Sequence, residues 1–156
     1  MHKYVAHQFL EISLETAWNF FSNPGNLPVI TPPWLRIKIL TPLENEIYEG
    51  MKIDYTLTPL LGFRILWQSE ISSVQYQKGF TDKQNTGPYK SWEHMHSFKE
   101  VRNGILVSDE VLYELKGGRF GRLANKLIIQ KRIENIFMYR RNTLEKLFKP
   151  HGRDSL

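Results

Sequence analysis

Two histidines one residue apart, His94 and His96, sit in the segment SWEHMHSFKE and carry the most chemistry in this sequence. Imidazole titrates near neutrality, donates or accepts hydrogen bonds, and ligates metals. If the segment is a strand, alternate residues share a face. Trp92, His94, His96 and Phe98 then point one way, and Glu93, Met95, Ser97 and Lys99 the other. The first set is bulky, aromatic and amphipathic, as the wall of a pocket is. The second is mostly polar, as a solvated face is.

Asn103-Gly104 reads as a two-residue hairpin turn, which folds a following strand back onto this one. With Arg102 paired to Ile105, Phe98 falls opposite Asp109, His96 opposite Val111 and His94 opposite Tyr113. Asp109 is then a diagonal neighbour of His96, ~7–8 Å away at the backbone and within reach of a longer side chain. The long strand before this hairpin directs to the pocket either Trp67 with Ile65 and Ser69, or Gln68 with Glu70 and Leu66. The alternation alone leaves both open, because one bulge exchanges them.

Three chemistries fit the histidine pair. With Asp109 or Glu70 it has the composition of a metal site. Held by Asp109, either ring is a general acid–base group, since the carboxylate raises its pKa against the lowering effect of burial. As neutral rings, both line and orient a pocket. His-x-His strands commonly bind no ion, so pocket lining is the expected role, with no metal and no cofactor. Around the pair, Tyr89 offers a hydroxyl, Trp34 either a lid at the cavity mouth or an anchor packed under the helices, and Ile133 and Phe137 a floor. Tyr113 continues the wall, and Arg140 is a partner for an acidic ligand group or for Glu70. There is no Gly-x-Ser-x-Gly elbow, no Gly-Lys-Ser/Thr phosphate loop and no cysteine. The run GGRFGR, which holds Gly117, Gly118 and Gly121, reads as a turn leading into a helix.

The elements that must position these residues follow from the pattern. Tyr4 to Ile12 alternates as a strand. Ser13 is a candidate N-cap for a helix that buries Leu14, Trp18 and Phe21 and stops at Pro24-Gly25. A second short helix opens at Asn26-Leu27 and cannot pass Thr31 to Trp34. Strands are expected at 36–40, 51–60, 63–77, 79–83, 89–101 and 105–115. From about Leu123 to Phe148 the apolar positions recur at helical steps. Helices segregated from consecutive, hairpin-linked strands predict an α+β fold with a curved antiparallel sheet around the last helix.

Length and charge bound the rest. With 156 residues and no cysteine, the chain suits one domain spanning 1–156, with neither a disulfide nor a thiolate metal centre. No apolar run has membrane-span length, and the N-terminus lacks a signal-peptide core, so a cytoplasmic protein is expected. The net charge of +5 is spread mainly over the C-terminal helix face. Without an RNA-binding motif it predicts no nucleic-acid partner.

The order strand–helices–meander–helix, the segment ITPPW, and above all D-x-Q-x-x-G-P-Y-x-x-W-x-H-x-H-x-F followed by D-E-V-x-Y-E-L resemble the SRPBCC ligand-binding superfamily. That helix-grip group includes START-like, polyketide-cyclase/dehydrase-like and birch-pollen-allergen-like proteins. The resemblance covers nearly the whole chain. It implies a seven-stranded sheet gripping the last helix around an apolar cavity that holds a small hydrophobic molecule. It does not fix a reaction, since the fold serves both binders and enzymes. The alternative to a binder is a cyclase/dehydratase-type enzyme in which His94 or His96, poised by Asp109, moves protons on a carbonyl substrate.

Overall fold

The computed structural model describes residues 1–59, 62–117 and 128–149. Strand β1 (His2–Leu10) is followed by helix α1 (Leu14–Phe21) and 3-10 turns at Pro24–Asn26 and Pro33–Leu35. Six further strands come next: β2 (Lys38–Ile39), β3 (Lys52–Leu57), β4 (Ile65–Gln75), β5 (Gly79–Thr86), β6 (Tyr89–Val101) and β7 (Gly104–Leu115). Helix α2 (Gln130–Leu147) closes the described chain. The expected helix start near Leu123, with Leu127, and the glycines Gly118 and Gly121 lie outside the described residues. The strands form one antiparallel sheet in the order β1-β7-β6-β5-β4-β3-β2, so the chain's first strand pairs with its last. This is the helix-grip fold.

Local chemistry sets the boundaries. Ser13 Oγ accepts from the Thr16 backbone N–H at 3.1 Å, and the Thr16 hydroxyl sits 2.8 Å from Ser13 Oγ where a capping box would place a carboxylate. Asn23 caps the first 3-10 turn through its own side chain, with Pro24 at the opening position. The expected second helix is therefore a pair of 3-10 turns held apart by the prolines. β2 shrinks to two residues because Arg36, at φ 47°, leaves the extended region just before it.

The β6–β7 register differs from the expectation by two residues. Val101 pairs with Gly104 and Glu100 with Ile105, which leaves Arg102-Asn103 as the turn. Asn103 supplies the left-handed residue at φ 68°. Gly104 is needed in the ladder instead, because a Cβ there would stand 2.2 Å from the Leu10 carbonyl oxygen of β1. A shift of two preserves side-chain parity, so the faces stand as expected while the partners change. His96 is directly opposite Asp109, His94 opposite Val111 and Trp92 opposite Tyr113.

The concave face buries the alternating set Ile105, Val107, Asp109, Val111 and Tyr113 of β7, with His94, His96 and Phe98 of β6. Under α1 the core is aromatic. Trp18, 1% exposed, meets Phe80 and Phe98 edge-on and donates from Nε1 to Glu46 at 2.8 Å. From α2, Ile133, Phe137 and Leu144 are buried against the sheet. No helix among the described residues is long and apolar enough to cross a membrane.

Candidate functional site

Between the sheet and the N-terminal half of α2 lies a cavity of about 440 Å³, within the range of small-molecule sites. Its walls are mostly apolar: Ile53, Leu57 and Ile71 from the sheet, Leu27 and Ile30 from the turns, and Ile133, Ile136 and Phe137 from α2. Of the two options for β4, the structure takes Trp67 with Ser69. Glu70 stands on the opposite face beside Asn85 at 2.7 Å and Lys52 at 3.9 Å, outside the cavity.

Tyr89 and Trp92 both reach the cavity although they are an odd three positions apart in the chain. A bulge resolves the parity: Tyr89 pairs with Leu115 and Ser91 with Glu114, so Lys90 is the extra residue. The Gly87-Pro88 turn before them is bracketed by Gln84. Its Oε1 accepts from Tyr89 N at 3.2 Å and its Nε2 donates to Tyr89 O at 3.0 Å, as a neighbouring strand would. Trp67 and Trp92 then meet edge-to-face at 5.5 Å. Burial, with the neighbouring Tyr113 adding to it, raises the Tyr89 pKa and keeps its hydroxyl neutral.

One patch of the wall is polar and consists of Asp82, His94, His96, Ser69 and Arg140. Asp82 lies opposite His94 across β5–β6. Its Oδ2 stands 3.3 Å from His96 Nε2 and 3.6 Å from His94 Nδ1. Its Oδ1 accepts from Ser69 Oγ at 3.4 Å, and Ser69 is itself held by Trp67 Nε1 at 3.0 Å and the Tyr55 hydroxyl at 3.2 Å. Asp109 is behind the histidines, away from the cavity lining. Its Oδ1 lies 2.9 Å from His94 Nε2, 2.9 Å from His96 Nδ1 and 3.2 Å from Arg140 Nη1. The His96 Nδ1 contact lacks hydrogen-bond alignment. The imidazoles overlap at 3.8 Å between centroids, and Phe80 stacks on His96 at 4.2 Å.

Charge follows from these contacts. Burial works against the Asp109 carboxylate, but Arg140 and the two histidines outweigh it and hold its pKa well below the usual carboxylate range. Asp82 is lowered in the same way, with burial opposed by His96 and then His94. Burial and the neighbouring His96 lower His94, against the pull of Asp109. His96 is raised, because Asp109 and Asp82 together overcome its burial. An ionised Asp109 can only accept, so His94 carries its proton on Nε2 and presents the Nδ1 lone pair towards Asp82.

The structure brings together Trp67, Tyr89, Trp92, His94, His96, Ile133, Phe137 and Arg140 around the cavity. Asp109 joins them from behind, and Arg140 pairs with it rather than with Glu70. Phe98 packs into the core against Trp18, Phe21 and Phe80. Tyr113 packs under Tyr89 and Trp92. Trp34 is 37% exposed with the Arg132 guanidinium 3.9 Å above its ring, outside the cavity lining. Asp82 is the functional side chain that reading the sequence overlooked. Its signal was the leading Asp of D-x-Q-x-x-G-P-Y, one hairpin away from the histidines.

Solved structures share this architecture at low identity. A protein from Chromobacterium violaceum matches with a TM-score of 0.72 and 12% identity, over 95% of this chain and 97% of that one. Ginseng major latex-like protein 151 from Panax ginseng matches at 0.69 and 14%, over 96% and 98%. Ara h 8.0201 matches at 0.62 and 10%, over 93% and 98%. No protein-family model and no curated relative matches the sequence. At these identities the likeness carries the fold and leaves the ligand to the residues of the cavity.

Proposed function

We propose that this chain is a single SRPBCC-type binding domain that encloses a small, largely apolar or aromatic molecule with one polar end. The observation that carries the reading is the cavity of about 440 Å³, with mostly apolar walls and with its one carboxylate and two imidazoles gathered on one patch of wall. Such a division orients an amphipathic guest, its apolar body on the aromatic and aliphatic walls and its polar end on the Asp82–His96–Arg140 side. A buried polar patch left unmatched costs free energy, so the patch selects for the guest's polar group as well as its shape.

The enzyme reading draws on the same histidines. Its support is the His94–Asp109 contact at 2.9 Å, which orients the ring as a general base requires. Against it, the ring nitrogens on the cavity side, His94 Nδ1 and His96 Nε2, face Asp82. Asp82 competes with a substrate for those nitrogens, and binding is therefore the better-supported function.

Native mass spectrometry of the purified protein tests the proposal together with titration of 8-anilinonaphthalene-1-sulfonate, an aromatic anion of suitable size. Expected are a co-purified small molecule and a single probe site displaced by it. Ile133→Trp, which fills the cavity from α2, should weaken the probe at least tenfold. Unchanged probe affinity in that variant would exclude the cavity as the binding site.

A further inference from the structure

The inner wall holds three donor atoms with the composition and spacing of a metal centre. We propose that Asp82, His94 and His96 form a site for one divalent transition-metal ion, with Asp109 behind both histidines and hydrogen-bonded to His94. One ligand atom from each of the three residues lies within 4.8 Å of the others. The nitrogens nearest Asp82 Oδ2 are His96 Nε2 at 3.3 Å and His94 Nδ1 at 3.6 Å. Donors about 2.1 Å from a common ion stand about 3.0 Å apart at a right angle and about 3.4 Å apart at the tetrahedral angle. The two Asp82–histidine separations come within a few tenths of an ångström of the second of these, while the two imidazole nitrogens, within 4.8 Å of each other, close the remaining distance by side-chain rotation.

The groups behind the donors have the arrangement such a centre needs. A metal-ligating histidine normally has its far nitrogen held by a carboxylate or carbonyl. Here Asp109 Oδ1 is hydrogen-bonded to His94 Nε2 at 2.9 Å and stands 2.9 Å from His96 Nδ1 as a charge contact without hydrogen-bond alignment. Arg140 neutralises that carboxylate at 3.2 Å, so Asp109 stays an orienting group. Asp82 is oriented in turn by Ser69 on Oδ1, which leaves Oδ2 for the ion. All three ligating residues line the cavity and Asp109 does not, so the remaining coordination positions open onto the space where a guest sits.

Two imidazoles and one carboxylate, with no thiolate available in a chain lacking cysteine, suit iron(II), cobalt(II), nickel(II) or zinc(II) over calcium or magnesium. The ligand set carries one negative charge, so a bound divalent ion keeps a positive charge towards the cavity. That charge attracts an oxygen donor such as a carboxylate, phenolate or enolate. This goes beyond the binding reading and does not depend on it, because metal uptake is measured without any organic guest.

The test is titration of the chelator-stripped full chain with zinc(II) by calorimetry and with cobalt(II) by visible absorption. Expected is one ion per chain. Asp82→Asn and His96→Gln should each weaken binding at least a hundredfold. Asp109→Asn should weaken it about 10–100-fold with the stoichiometry kept. Joint replacement of His2, His7 and His151 by Gln should leave affinity within twofold. Absence of stoichiometric binding, or equal affinity in Asp82→Asn, overturns the proposal. If a cluster variant does not fold, the wild type still decides: cobalt(II) must shift the ring resonances of His94 and His96, and shifts confined to His2 and His7 also overturn it.

Discussion

His96 and Asp109 face each other directly across β6 and β7, and Arg140 of α2 reaches the same carboxylate oxygen. Asp109 thus ties the helix to the sheet and both histidines to each other. Asp109→Asn removes the charge that balances a largely buried guanidinium and should destabilise the fold by about 3–5 kcal/mol. Adding Arg140→Met to that variant should recover part of the loss, with a coupling of about 0.5–3 kcal/mol in urea denaturation. Strict additivity would show that the pair does not interact.

Trp18 belongs to the sealed core under α1 and not to the cavity. Trp18→Ala should cost about 3–5 kcal/mol of stability. Affinity for the sulfonate probe, measured where the variant remains folded, should change less than twofold. A larger change would mean that the two compartments communicate.

Gly104→Ala places a methyl group against the Leu10 carbonyl oxygen of β1, with the Glu11 Cα 3.1 Å away. Overpacking of this kind costs about 1–3 kcal/mol. The loss should appear first as faster amide exchange along β1 and at the β7 positions paired with it. Uniform acceleration over the whole sheet would argue against a local clash.

Gln84→Ala deletes both hydrogen bonds that bracket Tyr89. The expected loss is about 1–3 kcal/mol. The probe should bind several-fold more weakly because Tyr89 and Trp92 lose their fixed direction. Metal uptake should stay within twofold, since Gln84 touches none of the proposed ligands.

The alternation around His94 and His96 made the pocket wall legible, because a period of two survives any even error in register. The pairing itself was not. Asn103-Gly104 looks like a complete turn, and only the approach of Leu10 to Gly104 reveals that the glycine is needed in the ladder. Asp82 was hidden for a related reason. Counting outward from Gly87-Pro88 as a two-residue turn sets Asp82 opposite Glu93, on the solvent face. The wider Gln84-bracketed loop moves it one place, opposite His94 and into the cavity. For Trp34 the sequence leaves a lid and an anchor equally open, and the ring lies outside the cavity lining with the Arg132 guanidinium over it.

The four tryptophans divide between environments. Trp18 is sealed in the core and Trp34 lies outside, while Trp67 and Trp92 touch each other at the cavity wall. The last two are close enough to share excitation, and any guest must rest beside them. The protein therefore carries its own optical reporter: occupancy should register as a change in the emission of one tryptophan pair, against a constant background from the other two.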